Sequence, residues 1–246
     1  MLYLRSFLFN TLFYGCTAIA CIVLLPSLVL PKKQFLKLLR VYFYALSFLE
    51  HRVAGINYKV LGKENIPHEG AFIVAAKHYS TYETMKLFLL FNDPAIILKK
   101  ELLNIPFWGW YARKSDTIAI DRKNRDTAMQ SILEGTEKVK NQGRPIIIFP
   151  QGTRVRPDQT PAEKPYKSGV AHMALSSGLP VIPLALNSGA CWPRKSFLKY
   201  PGTVTFKFLS PIDTNKIKNK EELMHKIETV LETESGALIK SVIKQN

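Results

Sequence analysis

Ala71-Phe72-Ile73-Val74-Ala75-Ala76-Lys77-His78-Tyr79-Ser80-Thr81-Tyr82-Glu83 joins an apolar run to a polar turn that opens a helix. A short, uninterrupted apolar run bounded by turn residues reads as a strand buried on both faces, as in sheets covered by helices on either side. Comparable runs recur at 58–61, 95–98, 117–120, 146–149, 181–186 and 204–209. Between them lie stripes at helical spacing: Met129, Ile132, Leu133 and Val139, then Leu223, Met224, Ile227, Val230 and Leu231. The second stripe starts behind Asn219 and Glu222, three residues apart as in a capping box. The alternation predicts an α/β fold, a mixed central sheet flanked by helices, over residues 55–246. The segment 155–165, with Pro157, Pro161 and Pro165, reads as a mobile surface loop.

Residues 1–54 have a different character and are expected to form a membrane-anchoring helical region. From 6 to 31 there are 26 residues without a charged side chain or histidine. At about 1.5 Å per residue they can cross a hydrocarbon layer of about 30 Å. A cleaved signal peptide is the rival, with Ala18-Ile19-Ala20 as its cleavage site, but the apolar run continues through Leu28. Lys32, Lys33, Lys37 and Arg40 follow, and charge bias then puts the remaining chain on the cytoplasmic face of the cell membrane. Lys33, Lys37, Arg40, Tyr44 and Ser47 recur every three or four residues, the pattern of a helix lying at a membrane surface. Gly15 and Pro26 permit a bend, so one crossing and a two-helix insertion into one leaflet both stay open.

The chain has 246 residues, 47% of them apolar, with 34 Lys and Arg against 19 Asp and Glu. That composition excludes a disordered or low-complexity chain, and the net charge of +15 favours anionic lipid, nucleic acid or phosphorylated substrates as partners. No recognition helix, zinc or aromatic-basic motif points to nucleic acid. Three cysteines, Cys16, Cys21 and Cys191, form no CxxC pair or Cys/His cluster of metal-ligand spacing, which fits a reducing compartment, and neither a metal nor a cofactor is among the expected partners. Cys191, with no histidine evidently linked to it, reads as an idle thiol, and His172 as a packing or surface residue. No Gly-x-Ser-x-Gly elbow is present.

Chemistry concentrates at strand exits, where α/β proteins place it. His78 and Glu83 are five positions apart, about 140° around a regular helix, so they meet only if His78 lies in the turn before the helix. A carboxylate on one ring nitrogen leaves the other free as a base. Ser80 and Glu83 also satisfy a capping box on their own. A second exit, Phe149-Pro150-Gln151-Gly152-Thr153-Arg154, follows the run 146–149, and its glycine turn and guanidinium suit phosphate oxygens. An ordinary turn with a solvated arginine fits it too. A third exit, Ile120-Asp121-Arg122, brings another arginine, or else a helix-start pair of Asp121 with Arg125.

In this order the motifs resemble the lysophosphatidic acid acyltransferase family, the bacterial 1-acylglycerol-3-phosphate acyltransferases. The resemblance spans roughly residues 30 to 210. Its members carry His-x4-Asp or, in some branches, His-x4-Glu, matched by His78 and Glu83. An arginine-bearing strand end is matched by Arg122, and Phe-Pro-Glu-Gly-Thr-Arg is matched by Phe149 to Arg154 except at Gln151. The apolar block Leu179-Pro180-Val181-Ile182-Pro183-Leu184-Ala185 closes the series, and Lys99-Lys100-Glu101-Leu102 with Ile105-Pro106-Phe107-Trp108-Gly109-Trp110 looks like the family's intervening segment. Glu83 lengthens the usual carboxylate arm, and Gln151 replaces a charge with a neutral amide.

The resemblance implies that His78, held by Glu83, takes the proton of the free 2-hydroxyl of lysophosphatidic acid as it attacks the thioester of acyl-CoA or acyl carrier protein, making phosphatidic acid. Arg122, Gln151, Gly152, Thr153 and Arg154 would bind substrate, and acyl chains would lie in a groove continuous with membrane lipid. Phe107, Trp108 and Trp110 would line that groove, sit at the interface or belong to the core. The alternatives are another lysolipid or glycerol 3-phosphate as acceptor, or a lipid-binding relative without turnover.

Overall fold

The computed structural model describes residues 1–121 and 123–243, with the side chains of Arg125 and Ile243 outside the description. The apolar runs form β1 (Ile56–Leu61), β2 (Ile73–Ala76), β3 (Ala95–Lys99), β4 (Ile118–Ile120), β5 (Ile146–Ile148), β6 (Val181–Leu186) and β7 (Gly202–Phe208). They make one sheet in the order β1-β7-β6-β2-β5-β3-β4. Strands β6, β2, β5, β3 and β4 run in the same direction, whereas β7 is antiparallel to β6 and pairs in parallel with β1. The sheet is therefore mixed, and the five like-directed strands all end along one edge.

The helices are α1 (Leu2–Val23), α2 (Lys32–Leu49), α3 (Tyr82–Leu90), α4 (Trp108–Lys114), α5 (Arg125–Asn141), α6 (Gly169–Ser177), α7 (Ser188–Cys191) and α8 (Lys220–Ile243). Side chains alternate along each strand, so the sheet has two buried faces. Phe72, Val74, Ala76, Ile147 and Ile182 pack with residues of α3 and of the first two helices. Ile73, Ala75, Ile146, Ile148 and Val181 pack under α5, α6 and α8. The cap of α8 differs slightly from a closed box. Asn219 Oδ1 accepts from Glu222 N–H at 2.9 Å, but the Glu222 carboxylate accepts from Lys218 N–H at 3.0 Å.

The pair α1 and α2 forms a hairpin around a turn that contains Pro26, and α1 is held to the sheet domain at both ends. Near its start, Arg5 Nε donates to Val53 O at 2.8 Å and Ser6 Oγ accepts from Lys199 N–H at 3.0 Å. Phe9 and Phe13 each meet the Trp192 ring edge-on at 5.2 Å. Phe9 is fully buried there, a contact that contributes about 2 kcal/mol by area. Near its end, Tyr111 Oη donates to Cys21 O at 2.7 Å, and at the start of α2 Lys32 bridges Asp93 and Asp116 at 2.8 and 2.9 Å.

The outward faces stay apolar: Leu4, Phe7, Ile19 and Ile22 on α1, and Leu38, Val41 and Phe48 on α2, are exposed. Lys33 and Lys37 are exposed beside them. The expected polar stripe of α2 is not all on the outside. Arg40 donates to Leu89 O at 3.0 Å, and Ser47 meets Lys86, so part of the stripe serves as the seam to α3.

Candidate active site

The pairing of Ala75 with Ile148 places the exits of β2 and β5 next to each other. His78 follows β2 and stacks on Phe149 with ring centroids 4.1 Å apart and planes 21° apart. Because α3 begins only at Tyr82, His78 sits in the turn before the helix, the geometry needed to meet Glu83. His78 Nδ1 donates to Glu83 Oε1 at 2.8 Å, and the N–H groups of Tyr79 and Ser80 donate to the same oxygen at 2.7 Å each. The capping and histidine-orienting readings of Glu83 are thus both realised by one fully buried carboxylate. Every one of these contacts asks the carboxylate to accept. That fixes the proton of the neutral ring on Nδ1 and leaves Nε2 with its lone pair.

A further donor comes from a residue that sequence reasoning passed over. Ser188, at the exit of β6, donates from Oγ to Glu83 Oε2 at 2.7 Å. The signal was available: Asn187-Ser188-Gly189 is another polar turn after a buried strand, and β6 is the neighbour of β2.

The turn after β5 is stitched to the first. Gly152 has φ +68°, a left-handed conformation that suits glycine, and Gly152 N–H donates to Phe149 O at 2.8 Å. Val155 N–H donates to His78 O at 2.7 Å, and Val155 is fully buried. The loop 155–165 is therefore fixed at its start. Arg154 Nη1 donates to Thr81 Oγ1 at 2.8 Å, which holds the guanidinium over the start of α3, and Arg194 donates to Arg154 O at 2.6 Å.

Gln151 behaves differently. It is buried, and its Nε2 donates to Lys164 O at 3.0 Å, clipping the far end of the loop. Arg122 lies outside the described residues. Its neighbour Asp121 follows β4, which lies three strands from β2, about 14 Å along the sheet at about 4.8 Å per strand. Asp121 Oδ1 accepts from Lys123 N–H at 3.1 Å.

His78, Gly152, Thr153 and Arg154 border a cavity of about 620 Å³. Its other walls are mostly apolar and come chiefly from α1, α2, α3, β3 and α4, including Phe13, Leu39, Phe43, Phe88, Ile97 and Tyr111. Lys99 borders it at the end of β3. Trp108 lines it and is also 39% exposed, while Trp110 is exposed and packs on Phe107. A polar end that holds a basic nitrogen beside a guanidinium, joined to a long apolar space, suits proton abstraction next to an anionic group on an amphiphile.

Outside the cavity, Cys191 is buried, and burial pushes its thiol up to about 11, so it carries no thiolate at neutral pH. His172 lies on α6, with Nδ1 3.0 Å from Ser168 O. Glu50 and Lys86 form a fully buried pair joining the end of the hairpin to α3. Burial pushes Glu50 up to about 7 and moves Lys86 down.

Residues 57–187 match the family model described as Acyltransferase. The chain is 39% identical over 157 residues to the 1-acyl-sn-glycerol-3-phosphate acyltransferase of Pseudomonas aeruginosa, covering 64% of this chain and 60% of that protein. It is 27% identical to the Saccharomyces cerevisiae protein of the same name, over 87% of this chain and 70% of that one. The crystal structure of the 1-acyl-sn-glycerophosphate (LPA) acyltransferase of Thermotoga maritima superposes with a TM-score of 0.78 at 27% identity, over 97% of this chain and 98% of that one. With strand exits, cavity and family model in agreement over more than half of its length, the chain belongs to the acyltransferase family, among relatives named 1-acyl-sn-glycerol-3-phosphate acyltransferases.

Proposed function

We propose that the protein transfers an acyl chain from acyl-CoA or acyl carrier protein to the 2-hydroxyl of lysophosphatidic acid, with His78 as general base. The observation that carries this reading is the His78 Nδ1 to Glu83 Oε1 bond, which leaves Nε2 unprotonated on a ring bordering the cavity. Nε2 takes the hydroxyl proton as the oxygen attacks the thioester carbonyl. The new C–O ester bond forms, the C–S bond breaks, and the departing thiolate takes the proton back from the imidazolium. Glu83 stabilises the imidazolium and holds its orientation. Arg154, held by Thr81, binds the acceptor phosphate, with Arg122 as the second motif arginine. Acyl chains occupy the apolar part of the cavity.

On this reading residues 1–54 are the membrane-anchoring region and 55–246 the acyltransferase domain. Insertion of the hairpin into one leaflet is favoured over a crossing. A helix of 22 residues is about 33 Å long, and α1 contacts the same domain near both of its ends. The exposed apolar faces then meet lipid while Lys33 and Lys37 meet headgroups of the cell membrane's cytoplasmic leaflet.

His78→Ala should lower acyl transfer by about 10²- to 10⁴-fold without unfolding. The assay sets lysophosphatidic acid against glycerol 3-phosphate and lysophosphatidylcholine, each with both donors. A folded, active His78→Ala protein would remove the base, and preference for another acceptor would replace the substrate. Full-length protein should float with vesicles in high salt, and release by salt alone would reduce the attachment to surface charge.

A further inference from the structure

Glu83 divides its two oxygens between distant parts of the chain. Oε1 gathers three donors from the turn after β2, whereas Oε2 receives Ser188 Oγ at 2.7 Å, 105 residues away in sequence. Ser188 and Glu83 are both fully buried, so the serine hydroxyl, and not bulk water, satisfies that oxygen. Its neighbours hold it there. Asn187 Oδ1 accepts from Thr205 N–H at 2.7 Å on β7, and the Asn187 amide donates to Leu238 O at 3.5 Å on α8. A Cβ at Gly189 would stand 3.0 Å from Tyr79 Cβ, tighter than side chains ordinarily pack, so glycine lets the segment approach the turn that carries His78.

We propose that Ser188 is a positioning residue for the acyl-transfer reaction. By holding Oε2 it fixes the carboxylate plane against His78 Nδ1 and sets how strongly the carboxylate draws on the ring proton. This role rests on the reading of His78 as general base. Without the hydroxyl, the buried oxygen is left unsatisfied, and the carboxylate binds protons more avidly and attracts the imidazolium more strongly. Both effects move the acid limb of the kcat/KM profile to higher pH. Among the described residues, Arg154 and Lys99 border the same cavity as His78, whereas Tyr79 and Tyr82 interact with Glu83, and Cys191 interacts with Tyr82. Lys77 and Lys86 are engaged by Glu232 and Glu50. The Ser188 to Glu83 contact is separate from all of these.

The test measures Ser188→Ala and Ser188→Cys in detergent, with thermal melts and with acceptor and thioester varied separately across pH. Ser188→Ala should lower kcat by about ten- to a hundredfold, keep both KM values within about twofold, and raise the acid limb by about half a unit or more. Ser188→Cys, of similar size and a weaker donor, should fall between it and the unmodified enzyme. A folded Ser188→Ala enzyme whose acid limb does not move overturns the proposal, even if kcat and melting temperature fall together, since packing alone explains that. If Ser188→Ala does not fold, Ser188→Cys decides in the same way. An active His78→Ala enzyme would remove the base and Ser188's role with it, whereas an inactive one beside an unmoved Ser188→Ala profile would remove only the role of Ser188.

Discussion

The turns after β2 and β5 lie side by side at one sheet edge and dispose of their polar residues in opposite ways. After β2 they converge: His78, Tyr79 and Ser80 all donate to one oxygen of Glu83. After β5 they diverge: Gln151 turns into the protein toward Lys164 O, while Thr153 and Arg154 border the cavity. The backbone explains the contrast. The first turn runs directly into α3, and a carboxylate in the first helical turn reaches back to the N–H groups of Tyr79 and Ser80, while Ser80 Oγ accepts from the opening N–H of Tyr82. The second reverses at Gly152 and enters a loop before α6, so successive side chains leave on different sides. Residues contiguous in a motif are therefore not equally part of a site.

Substitutions can break that contrast at its strongest point first. Glu83→Gln should lower turnover by about a hundredfold and stability by about 2 kcal/mol, because an amide cannot offer the same acceptor to several donors and a developing imidazolium. Unchanged kinetics with a lower melting temperature would leave Glu83 as a helix cap only. Arg154→Ala should come next, raising the acceptor KM by about tenfold or more while the thioester KM holds. Arg154→Lys should recover part of this, since an ammonium cannot reproduce a bidentate contact. An unchanged acceptor KM would assign Arg154 to the Thr81 contact alone.

Gln151→Glu should matter least for chemistry. A carboxylate cannot donate to Lys164 O, so a loss of about 1 kcal/mol in stability is expected, with kcat within about threefold. A large fall in kcat at unchanged melting temperature would return residue 151 to the substrate and make the second turn as convergent as the first.

Much of this was legible in sequence because strands buried on both faces announce themselves as unbroken apolar runs, and seven such runs became seven strands. The meeting of His78 with Glu83 was legible as well, since five-residue spacing works only across a turn. The direction of Gln151 was not, because it depends on how the chain turns through Pro150 and Gly152 and on a carbonyl 13 residues away. Ser188 was missed for a related reason. A serine after a strand looks like any turn until the sheet order places β6 beside β2. In α2, spacing located one polar stripe correctly but could not tell that Arg40 and Ser47 face α3 while Lys33 and Lys37 face outward.

The protonation of the His78 ring tests the central claim most directly. Nitrogen-15 NMR of the histidine-labelled protein in detergent micelles, with the His78 signals assigned by their loss in His78→Gln, reports which ring nitrogen carries the proton at neutral pH. The structure calls for a neutral ring protonated at Nδ1, with Nε2 unprotonated. A neutral ring protonated at Nε2 would leave no lone pair for the acceptor hydroxyl and would contradict His78 as the base.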